Sequence, residues 1–413
     1  MHNRAVLTEA GSEISPVVVS ALTRSAVAGR VARGAVEWVR HRGGTLKSSG
    51  RRDRYPGEKS TMAVSKEITA SGAFQAPLPD WLRMGVGLVL CIAIAFVAEA
   101  VGQRAPLIGA PIFAIVIGVL VTNTLRGPLH LTRWRIGDVS KLCLKGGIVL
   151  LGASLNFGDV IRTGIGSLPL LGITIAVGLL SSLGLGRWLN VDWRMRCLIG
   201  MGTTICGASA IAALAPVIRA KAEEIAYAIS VIFFFNMLAV FIFPLIGHLL
   251  GLSNLGFGTW AGTAVNDTSA VVAAGFAYST PAGTLATIVK LTRTTLIVPL
   301  VIGFGFAMPW LDPEARRASE LSILQRAYHA MPMFIIMFLV ASLLNTAGVF
   351  GPYAAHIQLV GRWVLVVALA AVGLQGHWKA FAGAGATPLV LGFATWVAVA
   401  LASLGVQAWV GQL

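Results

Sequence analysis

Charge is what this 413-residue chain has little of: 12% of it is Asp, Glu, Lys or Arg, about half the share usual in a soluble protein. Acids are the scarcer sign, 17 against 32 Lys plus Arg. Cysteine is scarce as well. The four present (Cys91, Cys143, Cys197, Cys206) stand apart with no CxxC pairing. That excludes a disulfide framework and a thiolate metal centre, and leaves them as small buried residues. Also missing are an HExxH, a GxxxxGKS/T loop and a GxSxG elbow. A nucleotide-driven pump and a membrane hydrolase lose their machinery with those motifs, so an enzyme is not expected.

What is there is apolar. Hydrophobic residues make up 56% of the chain and its mean hydropathy is +0.78. Apolar runs of roughly membrane-crossing length occupy 84–100, 108–125, 141–156, 168–188, 196–218, 224–250, 254–277, 284–310, 330–347, 359–375 and 386–411. The chain therefore reads as an all-α polytopic membrane protein with about 9–11 transmembrane helices. Residues 1–80 form a basic tail, expected to be disordered and cytoplasmic, and 81–413 form the transmembrane domain. The net charge of +15 does not imply a nucleic-acid partner, because the excess sits in the tail and in short loops where membrane topology accounts for it. The expected partner is the lipid bilayer.

The sequence repeats itself twice. "PIFAIVIGVLVTNT" (111–124) resembles "PMFIIMFLVASLLNT" (332–346), and "LSSLGLGRWL" (180–189) resembles "LASLGVQAWV" (401–410). Pro111 and Pro332 are 221 positions apart, as are Trp188 and Trp409. Arg126, Arg133, Arg135, Arg187, Arg194, Arg196, Arg316, Arg317 and Arg326 mark one side as cytoplasmic, while 251–259 and 278–283 carry no charge and read as external. With those signs the long repeat is inverted in the membrane, the plan of many secondary transporters. The second echo is "GTTICGASAIAALA" (202–215) against "GTAVNDTSAVVAAG" (262–275), identical at five of fourteen positions. If both segments crossed fully, Arg219 and Lys221 would lie outside. If both re-enter, those charges stay inside, which favours two opposed re-entrant or broken helices meeting near the midplane; eleven full crossings are the other option.

An acid in hydrocarbon survives only when it faces protein, water or a partner, and non-helical backbone at that depth must line a cavity or be buried. Asn266, Asp267, Thr268 and Ser269 on one echo, with Thr203, Cys206, Gly207 and Ser209 on the other, are therefore candidate substrate-binding residues. Lys290 and Arg293 follow, three residues apart on one helix face, with Thr287 and Thr294 beside them. Two cations at depth opposite a hydroxyl- and amide-rich break read as an anion site. Plainer accounts stay open: small residues permit close helix packing, and Asp267 pairs with Lys290 or Arg293 only to hold helices together. Lys141 and Lys145 are expected to snorkel, Glu99 to be interfacial, His248 to be a surface residue, and Gln375, His377 and Arg362 to mark helix ends.

At "CGASAIAALAPVIRAKAEEIAYAI" (206–229), "GTAVNDTSAVVAAG" and "ATIVKLTRT" (286–294), the chain resembles a bacterial inner-membrane family known as the YeiH-type "sulfate exporters". The resemblance covers roughly residues 80 to 413 and implies a sulfur oxyanion as substrate. Broader similarity to the cation/proton antiporter and bile-acid symporter folds implies inverted repeats and discontinuous helices, although two adjacent echoes in mid-chain do not follow that group's order. The expectation is a secondary transporter or exporter of a small anion (sulfate, another sulfur oxyanion or a sulfonate) in the inner membrane with a cytoplasmic N-terminus. No cofactor or metal is expected; H+ or Na+ is the candidate coupling ion. Homodimers are common for such architectures, although no interface is legible. The alternatives are a cation/proton antiporter using Asp267 and a non-transporting scaffold or sensor.

Overall fold

A computed structural model describes residues 79–104, 109–124, 134–311, 332–376 and 386–413. The tail, Arg126, Arg133, Arg316, Arg317, Arg326 and His377 lie outside the described residues. Among the described residues every regular element is helical. In chain order they are α1 (Asp80–Gly102), α2 (Gly109–Thr124), α3 (Ile136–Gly152), α4 (Phe157–Trp188), α5 (Trp193–Thr204), α6 (Ala208–Leu214) and α7 (Ala222–Leu249). Then come α8 (Asn254–Ala264), α9 (Thr268–Tyr278), α10 (Thr280–Thr295), α11 (Ile297–Leu311), α12 (Met333–Thr346), α13 (Ala354–Gly373) and α14 (Ala386–Val410).

Six helical stretches among the described residues are long and apolar enough to cross a bilayer: α1, α4, α7, α10 continuing into α11, α13 with its leading turn, and α14. Large apolar side chains such as Phe96, Leu180 and Leu245 stand uncovered by protein, which fits a surface solvated by lipid. Trp81 and Trp188 are exposed at helix ends on one face of the bundle, Tyr353 and Trp409 on the other. That is the placement of interfacial aromatic belts.

Two of the eleven apolar runs do not cross. Asn254 opens α8 and Ser279 closes α9, and their side chains are hydrogen-bonded at 2.6 Å. The Tyr278 hydroxyl donates to the Leu252 carbonyl, and the Tyr278 ring stacks on Phe257. Both ends of the α8–α9 segment therefore lie at one face, with the turn at Val265–Asp267 buried between them. The α5–α6 segment does the same from the opposite end of α7. The Arg194 guanidinium donates to the Ile218 carbonyl at 3.2 Å, so its beginning and end adjoin too. The re-entrant option is the one the fold takes, and eleven crossings are excluded. Arg219 and Lys221 consequently share a face with Arg194.

The long repeat is visible as paired hydrogen bonds. Asn123 near the end of α2 donates to the Gly376 carbonyl beyond α13 at 2.9 Å, and Asn345 near the end of α12 donates to the Leu155 carbonyl beyond α3 at 3.1 Å. Leu155 and Gly376 are 221 positions apart, and the two asparagines 222, the extra one being the insertion between the repeats. Each asparagine satisfies a carbonyl that a helix end leaves open. Gly152 and Gly373, again 221 apart, let these pairs approach: an added Cβ would lie 2.6 Å from the Phe338 carbonyl oxygen and 2.4 Å from that of Ile115 respectively. Around this frame α4 packs on α14, while α7, α10 and the two hairpins form the interior.

In a cysteine-free background, Asn254→Cys and Thr280→Cys should react with a membrane-impermeant thiol reagent from one side only, and Asp192→Cys and Lys221→Cys only from the other. Labelling of Asn254→Cys and Thr280→Cys from opposite sides would contradict the hairpin.

Candidate functional site

Each hairpin tip is a three-residue break between two half-helices: Ile205–Gly207 and Val265–Asp267. The breaks fall at equivalent positions of the short echo, so Cys206 corresponds to Asn266 and Gly207 to Asp267. Each tip therefore supplies one carbonyl-rich helix end and one amide-rich helix start. Gly207 holds φ +67° and ψ −128°, a conformation open to glycine and strained for other residues. An added Cβ there would meet Ile232 at 3.3 Å and the Asp267 Cβ at 3.6 Å, which shows how closely the tips cross.

The carbonyl ends face α10. Lys290 is fully buried, and its Nζ donates to the Ile205 carbonyl at 2.6 Å, to the Val265 carbonyl at 3.0 Å and to the Asn266 carbonyl. Arg293 is also fully buried. Its guanidinium donates to the Thr203 carbonyl at 2.6 Å, to the Val265 carbonyl at 3.2 Å and to the Thr204 carbonyl. Both cations thus meet the negative ends of α5 and α8, where positive charge is favoured. Thr287 and Thr294 take no part, since their hydroxyls bond to carbonyls of their own helix. Among the described residues the ion pairs are those of Arg135 with Asp80 and Asp138. The alternative in which Asp267 pairs with Lys290 or Arg293 to hold helices together is therefore not the arrangement found. Backbone carbonyls take up the hydrogen bonds of the two cations, whose charges are left without an ion-pair partner among the described residues.

Asp267 faces the other way. Its carboxylate caps α9, accepting from the Ser269 amide at 2.9 Å and from the Ser269 hydroxyl. Its own amide donates to the Asn236 side chain on α7 at 3.0 Å. Asn236, Asp267 and Ser269 together line a cavity of about 30 Å³, with Ile115 on α2 and Val372 on α13 also in its wall. That volume suffices for a water or a small ion. One turn further along α2, α9 and α13 opens a larger cavity of about 310 Å³, reaching the face where α9 joins α10. Pro111, Val272 and Leu369 line it, with Glu99, Gln103, Tyr278 and Arg362 toward its mouth. The two cavities lie along one seam.

The ten residues singled out in the sequence gather at the crossing unevenly. Lys290 and Arg293 stand on the α10 side; Asp267 and Ser269 stand on the cavity side. Thr268 is buried in the first turn of α9, and Gly207 packs against Asp267. Cys206 is buried within the tip of the first hairpin. The Thr203 hydroxyl and both side-chain polar atoms of Asn266 are buried with no hydrogen-bond partner among the described residues, an arrangement that costs free energy. Ser209 is exposed on α6. Sequence inspection passed over Asn236, although a lone amide inside the run "IFFFNML" was a signal. Glu99 and Arg362 read as helix-end residues in the sequence; the structure brings both to the large cavity.

The family model described as conserved hypothetical protein 698 matches residues 86–392. A UPF0324 membrane protein of Streptococcus pyogenes serotype M18 is 42% identical over 338 residues, covering 80% of this chain and 98% of the relative. The chain belongs to the UPF0324 membrane protein family. Further UPF0324 members, from Streptococcus mutans and Streptococcus pneumoniae, are 40% and 39% identical over 79% and 80% of this chain and 97% and 98% of their own. No solved structure matches. The segment matched by the family model, 86–392, contains both hairpins, Asn236, Lys290 and Arg293.

Replacing Lys290 or Arg293 by Met strands two buried carbonyls each, Ile205 and Asn266 or Thr203 and Thr204, the Val265 carbonyl being shared by both cations. Each stranded carbonyl costs about 1–3 kcal/mol. Thermal unfolding in detergent should show a large loss for each variant, against a change within about 0.5 kcal/mol for Lys141→Met, an exposed lysine on α3. Variants as stable as the Lys141 control would remove the cations from the tip-locking role.

Proposed function

We propose that this protein is a secondary transporter of the bacterial inner membrane that moves a small anion by alternating access. Sulfate, another sulfur oxyanion or a sulfonate is the substrate class, and the N-terminus is cytoplasmic. The supporting observation is the crossing of two inverted re-entrant hairpins beside a small cavity lined by Asn236, Asp267 and Ser269. Unwound backbone at membrane depth is tolerated where it lines such a space, and discontinuous helices of inverted repeats hold the substrate in transporters built on this plan. Arg135, Arg187, Arg194 and Arg196 on one face support the orientation.

Charge favours an anion. Each tip contributes one helix start and one helix end, so their partial charges of about half an elementary unit cancel. What remains is two side-chain cations against one carboxylate, an excess of a single positive charge in a poorly solvated interior. Such an excess costs several kcal/mol unless a counter-charge arrives. Lys290 would act through its field, since its three donors are engaged by carbonyls, and Arg293 would add its charge beside it. Direct contacts would come from Ser269, Asn236 and the first amides of α9, a helix start being a ready anion site. Asp267 occupies that start now. A proton on Asp267 would weaken its cap, raise the excess charge and admit the anion, which makes H+ the coupling ion of this scheme.

One observation favours the second reading: the cavity is lined by a carboxylate. A cation/proton antiporter would use Asp267, Ser269 and Asn236 as its ligands, with Lys290 as internal counter-charge.

A thermal-stability screen in detergent separates the two, because a ligand that binds only the folded state at a hundred times its Kd stabilises by about 2.7 kcal/mol. Sulfate, sulfite, thiosulfate or a small sulfonate should raise the melting temperature of wild type, and the rise should vanish in Ser269→Ala and Asn236→Ala. Stabilisation by Na+ alone, lost in Asp267→Asn (itself a good helix cap), would replace the anion carrier by the antiporter.

A further inference from the structure

The environment of Lys290 is that of a bound monovalent cation. Its ammonium lies at the meeting point of both hairpins and touches only main-chain oxygens there: Ile205 from one tip, Val265 and Asn266 from the other. Ile205 and Val265 are equivalent positions of the short echo, so the nitrogen sits between symmetry-related carbonyls. No carboxylate pairs with it among the described residues. Three donors meet three acceptors, which exhausts the ammonium. Unwound carbonyls and half-helix C-terminal ends are the groups with which discontinuous-helix transporters coordinate Na+, and carbonyl oxygens replace the hydration shell of alkali ions elsewhere.

We propose that Lys290 is a tethered cation occupying a built-in monovalent-cation site at the hairpin crossing, so that the crossing is assembled without Na+ from solution. The site itself follows from the carbonyl geometry alone; its meaning for coupling rests on the transport reading above. In a carrier of this plan an alkali ion between the tips would bring both carbonyl ends together and leave when the tips part. Here the ion is fixed to α10 by its own side chain, beside Arg293, which adds three carbonyl contacts from the same two tips. Tip closure is thereby uncoupled from the sodium gradient. Any driving ion must act elsewhere, and Asp267 is the carboxylate that lines the small cavity.

Removing the side chain while keeping the cage tests this. Lys290→Ala deletes the tether and leaves the carbonyls and the space; Lys290→Met fills the space with an apolar chain. Both variants and wild type are purified and melted in NaCl, KCl, NH4Cl and choline chloride at matched ionic strength, choline being too large for the cage. In Lys290→Ala one small cation should restore monodisperse protein or raise the melting temperature saturably, by about 4 °C or more over choline. Lys290→Met and wild type should show no such difference. An Ala variant equally unstable in all four salts, or recovered in none of them, overturns the proposal. So does a small-cation response of equal size in wild type that persists in Asp267→Asn. A sodium response of wild type that disappears in Asp267→Asn counts instead against the anion-carrier reading, and the gain specific to Lys290→Ala stands independently of it.

Discussion

Six hydrogen bonds from two neighbouring cations of α10 to the carbonyl ends of α5 and α8 are the contact on which the interior is built. A chain that breaks two helices at membrane depth exposes peptide groups where water cannot satisfy them, each at a cost of several kcal/mol. The cations meet that requirement and meet the dipoles as well. They also bind two hairpins that come from opposite faces and approach closely where Gly207 meets Asp267. A neutral residue at either position would leave two tip carbonyls unpaired and a single cation bridging the hairpins.

Around this lock the symmetry of the fold decides where space can open. α3 and α13 pair across the pseudo-twofold relation, and α2 and α12 lie beside them through the repeated asparagine contacts. The α8–α9 hairpin presents α9 to α2 and α13, and both cavities fall along that seam. A movement of the hairpins against the α2–α3–α12–α13 frame would therefore open or close the passage without disturbing the carbonyl lock, which lies on the α10 side.

Much of this was legible in the sequence, for identifiable reasons. Apolar runs give spans because bilayer thickness fixes their length. The re-entrant turns were legible because a basic pair, Arg219 and Lys221, had to stay with the other arginines. The partners of Lys290 and Arg293 were not, since a backbone carbonyl has no residue type: the chemistry of the lock is written in conformation, and the sequence showed only its cations. Asn236 hid in a run whose hydrophobicity was already fully used as evidence of a crossing. Glu99 and Arg362 sit 263 positions apart and each lies near a helix end, so only packing of α1 against α13 reveals that they border one cavity.

The separation of the two faces of the crossing gives the titratable carboxylate its significance. On the α10 side every ammonium proton of Lys290 is committed, so that side is electrically fixed while the tips are crossed. On the cavity side Asp267 caps α9 through the Ser269 amide and hydroxyl, the donors an entering anion would need. Carboxylate and anion are then competitors for one helix start, and like charges cannot share it without large cost. In the proposed carrier a proton would settle that competition, by removing the charge of Asp267 and weakening it as an acceptor. Under that proposal substrate and proton would be linked through a single side chain, with the lysine and arginine behind it supplying a constant field. A fixed positive charge on one side and a switchable negative charge on the other is the least that an anion carrier with a locked crossing requires.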